Sequence, residues 1–372
     1  MSPPAGPPAV AADAVRAPGP RIHRTPQGLA PLEDGWRRLA AATPGSSYFA
    51  TPDWVLAAWE TMEPAVAAGA EAAVWTAPDG AVEAVLPLVL RRAALHPRLP
   101  LPVTAWTLLG EPDDAADHGI LPVAPQRCAE AGRWLRQRTA GRSVWLPAMD
   151  PEADPALLPP GTFRVASVTC PRLVIGPDTE VGSRGFRATG RRRERQLADL
   201  GVSFRWIEPP AMTAQVLDTV LRLHRLRQEH KGVPTAFGPA RRAFHLRLQH
   251  RAAPGRGPAA LLAEHEGRAI GAVYGFRWGQ TFAYYNGGWD PAYARLSLGT
   301  VLLNRTIATV ADRGARVFDF LRGDEAYKYR SFGATDRHDV QWLRPRSPAA
   351  LLSGAVLRHA RRRRGTTRPA DG

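Results

Sequence analysis

A dense cluster of ionisable residues follows a short apolar run near residue 320. Within ten positions the sequence places Asp319, Arg322, Asp324, Glu325, Tyr327 and Lys328. The preceding run, residues 316–321, predicts a buried strand, and α/β proteins place active sites at the carboxyl ends of such strands. Side chains of these types can exchange protons with a bound substrate. The cluster therefore predicts a site for proton chemistry.

Within this cluster the residue types suggest separate roles. Glu325 and Asp324 are candidates for a general base, because a carboxylate can take a proton from an attacking group. Tyr327 is a candidate acid. Lys328 fits either an acid or a contact to an anion.

Four further residues are candidate substrate contacts. Asp319 and Arg322 fit either a structural ion pair or a contact to substrate. His224 and Arg227 lie three positions apart on a predicted helix and therefore share one face. His224 falls on the apolar side of that helix, which favours a buried structural histidine over a catalytic one.

A second group of candidates surrounds the start of a predicted helix, residues 298–313. Ser297 is a good helix cap, and Gly299 allows backbone to approach a ligand closely. The free amides and the helix dipole at such a start suit a pyrophosphate, and Arg295 and Thr300 flank it. The same position is equally typical of an ordinary capped helix.

The strand before that helix, residues 281–288, contains Asn286, Gly287 and a second glycine. Paired glycines weaken a strand interior. They indicate a bulge, a backbone approached by a ligand, or simply the end of the strand. Asn286 and Gly287 are therefore candidates for cofactor contact.

The elements that must position these residues follow the same order in both halves of the chain. The first half predicts helices at 31–42, 52–62 and 127–138 and strands at 71–77, 82–90, 103–109 and 143–146. The second predicts helices at 213–230, 240–251 and 298–313 and strands at 261–266, 269–278, 281–288 and 316–321. This helix–hairpin–strand–helix–strand order indicates an α/β (α+β) protein built as a tandem repeat.

Composition suggests where the repeat begins and ends. We predict a disordered Pro/Ala-rich leader at 1–28, domains at 29–180 and 181–346, and a basic tail at 347–372. In the tail, Leu351 and Leu352 precede four consecutive arginines. It fits either a surface helix that makes weak contact with anionic lipid or nucleic acid, or a solvated tail.

The chain has 372 residues, a net charge of +15 and a sequence pI of about 11.0. Arginine supplies nearly all of this charge, which favours polyanionic partners. No apolar run approaches the ~20 residues of a membrane span, and the leader lacks a signal-peptide core, so we expect a cytoplasmic protein. Cys128 and Cys170 have no metal-ligand spacing, so we expect no metal and two reduced cysteines, with a single disulfide as the alternative.

At these residues the chain resembles the FemAB-like branch of the GNAT superfamily, and in particular its CelD/BcsL-type acetyltransferase group. The resemblance spans about Trp36 to Trp342 and is most specific at Asp319 to Lys328. Supporting segments are SYFATPDWVLAAW at 47–59, Leu-Pro-Leu at 86–88, residues 223–227 and residues 237–244. Asp117-His118-Gly119 stands where the family usually has an acidic pair.

The resemblance implies two tandem GNAT-like domains, each a mixed central sheet flanked by helices. It implies acyl transfer from acyl-CoA, most simply acetyl-CoA, to a small-molecule or glycan amine. Asn286 to Gly288 would form a splayed strand, Ser297 to Thr300 the pyrophosphate loop, and Tyr327 the acid. The loop departs from the family pattern, because leucine replaces its first glycine and threonine its last small residue.

Two alternatives stay open. Related FemAB enzymes take an aminoacyl group from tRNA and act on a cell-wall precursor, and the positive charge suits that donor. Such enzymes generally carry a coiled-coil arm, and this sequence has no sustained heptads. The third alternative is a degenerate GNAT pair that binds a ligand without turnover.

Overall fold

The computed structural model describes residues 19–96, 99–110, 116–176, 179–233, 235 and 237–365; of 360–365 it gives only the helical path. Most of the predicted leader, residues 1–18, lies outside this range. The described chain forms two mixed sheets of seven and six strands, flanked by helices. The predicted α/β fold with two repeated units is confirmed.

The first half contains four α-helices and six strands in the described residues. The helices are α1 (Glu33–Ala42), α2 (Pro52–Thr61), α3 (Pro64–Ala67) and α4 (Cys128–Arg138). The strands are β1 (Arg21–His23), β2 (Ala70–Thr76), β3 (Val82–His96), β4 (Leu99–Leu108), β5 (Ser143–Met149) and β6 (Phe163–Thr169). Short 3-10 helices at Pro26–Leu32, Tyr48–Ala50, Pro125–Arg127 and Pro155–Leu157 connect them.

From residue 172 onward the described residues form six α-helices and seven strands. The helices are α5 (Arg184–Asp199), α6 (Ala214–His230), α7 (Pro239–His250), α8 (Leu298–Asp312), α9 (Ala326–Arg330) and α10 (Pro348–Gly365). The strands are β7 (Arg172–Val174), β8 (Ser203–Ile207), β9 (Gly257–His265), β10 (Arg268–Trp278), β11 (Thr281–Trp289), β12 (Val317–Asp319) and β13 (His338–Arg344). A 3-10 helix at Pro291–Leu296 precedes α8.

The two sheets exchange strands across the predicted domain boundary at residue 180. The first sheet has the order β1-β2-β3-β4-β5-β13-β6, so it takes a strand from the second half. The second has the order β7-β12-β11-β10-β9-β8, so it takes β7 from before residue 181. Two strands that cross between the units tie them together.

Each sheet contains one parallel pair joined by a crossover helix. β4 and β5 are parallel and connected through α4, and β11 and β12 are parallel and connected through α8. The other pairings between named strands are antiparallel. A parallel connection needs a crossover, which is why these two helices occupy equivalent positions.

An aromatic core joins the halves. The Trp54 ring of α2 lies 4.7 Å from Phe244 of α7 and 5.5 Å from Phe276 of β10, measured between ring centroids. Tyr48 stacks on Phe276 at 5.0 Å. Burying each such ring stabilises the fold by ~1.5–3 kcal/mol, so this core resists separation of the two units.

Two terminal segments are more ordered than predicted. Residues 21–23, placed in the disordered leader, pair with β2 as an edge strand. In the predicted tail, residues 348–365 form α10, so the helical alternative applies to them, and the helix buries Ala350, Ser353 and Leu357 against the first sheet. Apolar residues three and four apart give the helix an inner stripe that basic character alone does not reveal. Among the described residues, no helix is both long and apolar enough to cross a membrane.

Candidate active site

The carboxyl ends of β11 and β12 separate and leave an opening in the second sheet. The two strands pair only from Thr281 with Val317 to Ala283 with Asp319. Beyond Ala283, β11 stays paired to β10 on its other edge as far as Trp289. The edge of β11 that faced β12 therefore leaves the ladder after Ala283, three residues before the segment Asn286 to Gly288 for which the resemblance implies a splayed strand.

A cavity of about 310 Å³ lies in this opening. Residues from both halves line it: Asp117, Arg227, Phe237, Arg241, Tyr284, Tyr285, Asn286, Phe320, Leu321, Arg322, Glu325, Tyr327 and Lys328. Six of these residues were candidates from the sequence. The cavity does not include the predicted Asp324, His224, Asp319 or Gly287, nor the loop residues Arg295, Ser297, Gly299 and Thr300.

Arg227 on α6 holds the separated part of β11. Its Nη1 donates to the Gly287 carbonyl at 3.0 Å, and its guanidinium lies 4.1 Å from the Trp289 ring centroid. One turn earlier, His224 is buried with its ring against Phe237, and burial lowers its pKa. Arg227 therefore lines the cavity, whereas His224 packs against Phe237, one of the residues that line it.

Lys328 clamps the loop that follows β12. The residue is only 2% exposed, and its Nζ donates to the carbonyls of Phe320, Arg322 and Gly323 at 3.3, 3.4 and 3.0 Å. Its Nζ also lies 2.8 Å from Glu325 Oε2. The ammonium group therefore organises the loop, and little of it is available for a substrate.

Glu325 is ionised beside this clamp. Partial burial raises its pKa, but the hydrogen bond and charge of Lys328 outweigh burial and hold the pKa below its ordinary value. The side chain is more than half exposed. It therefore presents a carboxylate to the cavity at neutral pH, as an acceptor or as a partner for a cation.

Three tyrosines line the cavity as neutral phenols. Burial raises the pKa of Tyr284 and Tyr327, and it raises the pKa of Tyr285 to about 12. A neutral phenol near a forming anion can donate a proton or a hydrogen bond. Tyr327 was predicted in this role, whereas Tyr284 and Tyr285 were missed because they read as ordinary strand residues.

Asp117 reaches the site from the first half. Its Oδ2 accepts a hydrogen bond from the Arg322 amide at 3.0 Å, and Oδ1 pairs with the Arg322 guanidinium. The Arg322 side chain also donates to the Ala116 carbonyl. Asp117, 205 positions away along the chain, therefore forms an ion pair with Arg322.

Asp319 instead joins a buried cluster around His118. His118 Nε2 lies 3.0 Å from Asp319 Oδ2, and its Nδ1 lies 2.8 Å from Asp339 Oδ1. Burial lowers the His118 pKa, but the two carboxylates outweigh burial and raise it to about 10. His118 is therefore an imidazolium that bridges a strand of each sheet, and Asp319 is a buried structural residue rather than an open substrate contact.

Cys170 contacts the same cluster. Its Sγ lies 3.6 Å from Asp339 Oδ2, and ligand atoms of His118, Cys170 and Asp339 all fall within 4.8 Å of one another. This spacing is compatible with a metal ion, although the sequence predicted none. The hydrogen bonds to His118 and Asp339 already engage these groups. Both cysteines are free thiols.

The start of α8 differs in detail from the predicted capped loop. Ser297 has a left-handed backbone, with φ of 54°, and its side chain makes no capping hydrogen bond. A Cβ at Gly299 would lie 2.8 Å from the Trp289 ring, so packing against that ring requires the glycine. The Ser297 and Arg295 side chains are exposed near the N-terminus of α8.

Comparison with known proteins is consistent with this geometry. Residues 184–329 match a family model described as an acetyltransferase (GNAT) domain. The sequence has no significant match among curated proteins.

Solved structures with similar folds have low sequence identity. FemX aligns over 90% of this chain and 100% of its own, with 10% identity and a TM-score of 0.62. The C-terminal domain of a putative lysylphosphatidylglycerol synthetase from Agrobacterium fabrum aligns over 88% and 96%, with 13% identity and a TM-score of 0.56. L-PGS from Bacillus licheniformis aligns over 77% and 88%, with 10% identity and a TM-score of 0.50. Residues 184–329 therefore match a GNAT acetyltransferase domain, and the described chain shares its overall fold with FemX and with these synthetase structures.

Proposed function

We propose that this protein transfers an acyl group from acyl-CoA, most simply acetyl-CoA, to an amine in the cavity between β11 and β12. The observation that carries the proposal is the opening of this parallel pair onto a cavity with neutral phenols and one exposed carboxylate. Backbone amides on a free strand edge polarise a carbonyl without reorganising, which stabilises the charge that develops on its oxygen.

The proposed reaction is a direct transfer within a ternary complex. The amine nitrogen attacks the thioester carbon, the carbon–sulfur bond breaks, and the acyl group forms an amide. Tyr327 gives its proton to the departing thiolate, because its raised pKa keeps it protonated at neutral pH. The proton released by the amine passes to Glu325, and Asp324 is the alternative carboxylate for this role.

The donor would lie with its pyrophosphate at the start of α8. The helix start supplies free amides and a positive dipole, with Arg295 and Thr300 beside it. Asn286 and Gly287 precede that start on β11 and would flank the pantetheine arm. Arg227 would act by fixing the Gly287 carbonyl.

The residues on the acceptor side of the cavity are compatible with more than one class of amine. Arg322 lines the cavity from the loop after β12, held by Asp117. An ionised Glu325 would attract a protonated amine into the opening before transfer. A small-molecule or glycan amine fits these features.

A second donor is favoured by one structural feature. Helix α5 carries six arginines in sixteen residues and packs against α8, beside the proposed donor site. Such a helix suits the phosphates of an aminoacyl-tRNA. In that case an aminoacyl ester replaces the thioester, and a cell-wall precursor amine is the acceptor. A ligand-binding pair without turnover is the third possibility.

Calorimetric titration separates the three functions. We expect acetyl-CoA to bind one site per chain, and thiol release to follow when an amine panel is added. Binding of aminoacylated tRNA without binding of acetyl-CoA would favour the second donor. Binding of acetyl-CoA with no thiol release from any amine would favour the non-catalytic pair.

A further inference from the structure

Helix α10 and the β3–β4 hairpin form an apolar and basic surface outside the candidate active site. We propose that this surface docks the protein onto an anionic lipid bilayer. The docking face is defined by the exposed Leu351 and Leu352 of α10, with Leu101 on the adjoining β4. Arg358 of α10 flanks them, with its guanidinium 4.8 Å from the Phe163 ring centroid of β6.

The orientation of α10 is fixed by its inner stripe. Ala350 and Leu357 are buried in one cluster with Val103 and Ala105 of β4. Ser353, between them, is fully buried. Because this stripe faces the sheet, the opposite side of the helix faces solvent.

The outer side is apolar where solvent would favour polar residues. Leu351 is 58% exposed and Leu352 is 49% exposed. Leu101 is 38% exposed and precedes the buried Val103 by two residues, so it lies on the face of β4 that meets α10. Three of the exposed large apolar side chains therefore belong to adjoining elements.

The fold also brings together two segments without acidic residues. Residues 345–359 contain two arginines and no aspartate or glutamate, and residues 84–96 contain two arginines and none of either acid. β6, which also contacts α10, has no acidic residue. These segments lie far apart in sequence, so the basic surface exists only in the folded protein.

Exposed leucines beside arginines match an interfacial lipid site. Apolar side chains enter the boundary between headgroups and acyl chains, and arginines contact anionic headgroups. A nucleic-acid backbone would use the arginines but not the leucines. Helix α5 is the contrasting case. It carries six arginines and buries only Leu197, and Leu200 at its end is a single exposed leucine rather than a pair.

Vesicle flotation of the full chain tests the proposal. Vesicles of phosphatidylcholine with roughly 30% phosphatidylglycerol should bind the protein at least about tenfold better than pure phosphatidylcholine, with binding falling as salt rises. The double variant Leu351→Ser/Leu352→Ser should lose about tenfold in partitioning. Leu200→Ser is the matched control, since Leu200 is 51% exposed at the end of α5.

The changed leucines are exposed, so an unchanged thermal midpoint will show that the double variant is folded. Equal flotation with neutral and anionic vesicles overturns the proposal. So does retention of binding by the leucine double variant, or an equal loss in Leu200→Ser. Retention on single-stranded RNA with no flotation identifies a nucleic-acid surface and also overturns it.

Discussion

The two parallel strand pairs of this protein begin alike and end differently. β4 and β5 pair at Ala105 with Ser143 and at Trp106 with Val144, and then separate. Residues 116–120 enter that gap. The Gly119 amide donates a hydrogen bond to the Ala148 carbonyl, and the Asp150 amide donates to the Gly119 carbonyl. β11 and β12 also separate, but a cavity of about 310 Å³ occupies their gap.

Because of this difference, the first gap has a structural role and the second gap holds the candidate active site. The inserted segment fills the first gap with backbone and completes its hydrogen bonds. The same segment carries Asp117 to Arg322 and His118 to Asp319, at the base of the open gap. The segment that fills the first gap therefore supports the cavity in the second gap. Substitutions in residues 116–120 should alter the geometry of the second half.

The largest expected effect is from removing the bridge between the halves. His118→Ala should lower the free energy of unfolding by ~3–5 kcal/mol, because it leaves Asp319 and Asp339 buried without their shared cation. Denaturant unfolding at neutral pH measures this. His338→Ala is the control, since His338 is half exposed; an equal loss in both variants would remove the special role of His118.

The same bridge predicts a pH dependence with a definite sign. The His118 pKa is about 10 in the folded protein, against 6.5 for an ordinary histidine. The stabilisation from His118 is therefore complete below about pH 6.5 and declines as pH rises toward 10. The stability gap between the wild type and His118→Ala should narrow over this range. A gap that is constant or widens contradicts a charged bridge.

The third prediction concerns the proposed acid in the open gap. Tyr327→Phe should reduce kcat by about 100-fold, because the leaving thiolate loses its proton donor. Steady-state thiol release measures this. Tyr329→Phe is matched in chemistry, and its hydroxyl donates to Asp336, outside the cavity. Full activity in Tyr327→Phe would assign proton transfer elsewhere.

A smaller effect should follow from cutting the contact between the inserted segment and the active-site loop. Asp117→Asn should lower kcat/KM by about tenfold, because Arg322 loses the carboxylate that orients it. Asp324→Asn removes an exposed carboxylate outside the cavity and should change little. If Asp324→Asn lowers kcat/KM more than Asp117→Asn does, Asp324 rather than Glu325 is the general base.

The smallest effect tests packing at the start of α8. Gly299→Ala should cost ~1 kcal/mol of stability and weaken acetyl-CoA binding a few-fold, because its Cβ meets the Trp289 ring. Gly185→Ala, where a Cβ meets open space in α5, is the control. Thermal unfolding and calorimetry measure the two consequences; unchanged values for both would show that Trp289 moves freely.

Much of the fold could be predicted because its signals are local. The helical spacing of apolar residues places α6, predicted at 213–230 and found at 214–230. The turn at residues 78–80 likewise predicts the β2–β3 hairpin. Strand exchange could not be predicted in this way, since nothing local to β13 shows that it enters the first sheet.

The candidate site could also be predicted only where its signals are local in the sequence. The cluster after β12 stands out because its charges are adjacent in sequence. Asp117 and His118 act through partners roughly 200 positions away, so their roles depend on the inserted segment. Asp319 is buried and contacts His118 of the first half, a contact that its neighbours in sequence do not indicate.

Hydrogen–deuterium exchange with and without acetyl-CoA tests the central claim most directly. We predict slower exchange in residues 284–289, which border the open gap, and in residues 297–301 at the proposed pyrophosphate site, with no change in residues 105–110 and 143–149 of the filled gap. Protection of the filled gap, or of neither region at saturating acetyl-CoA, would contradict acyl transfer from CoA at β11 and β12.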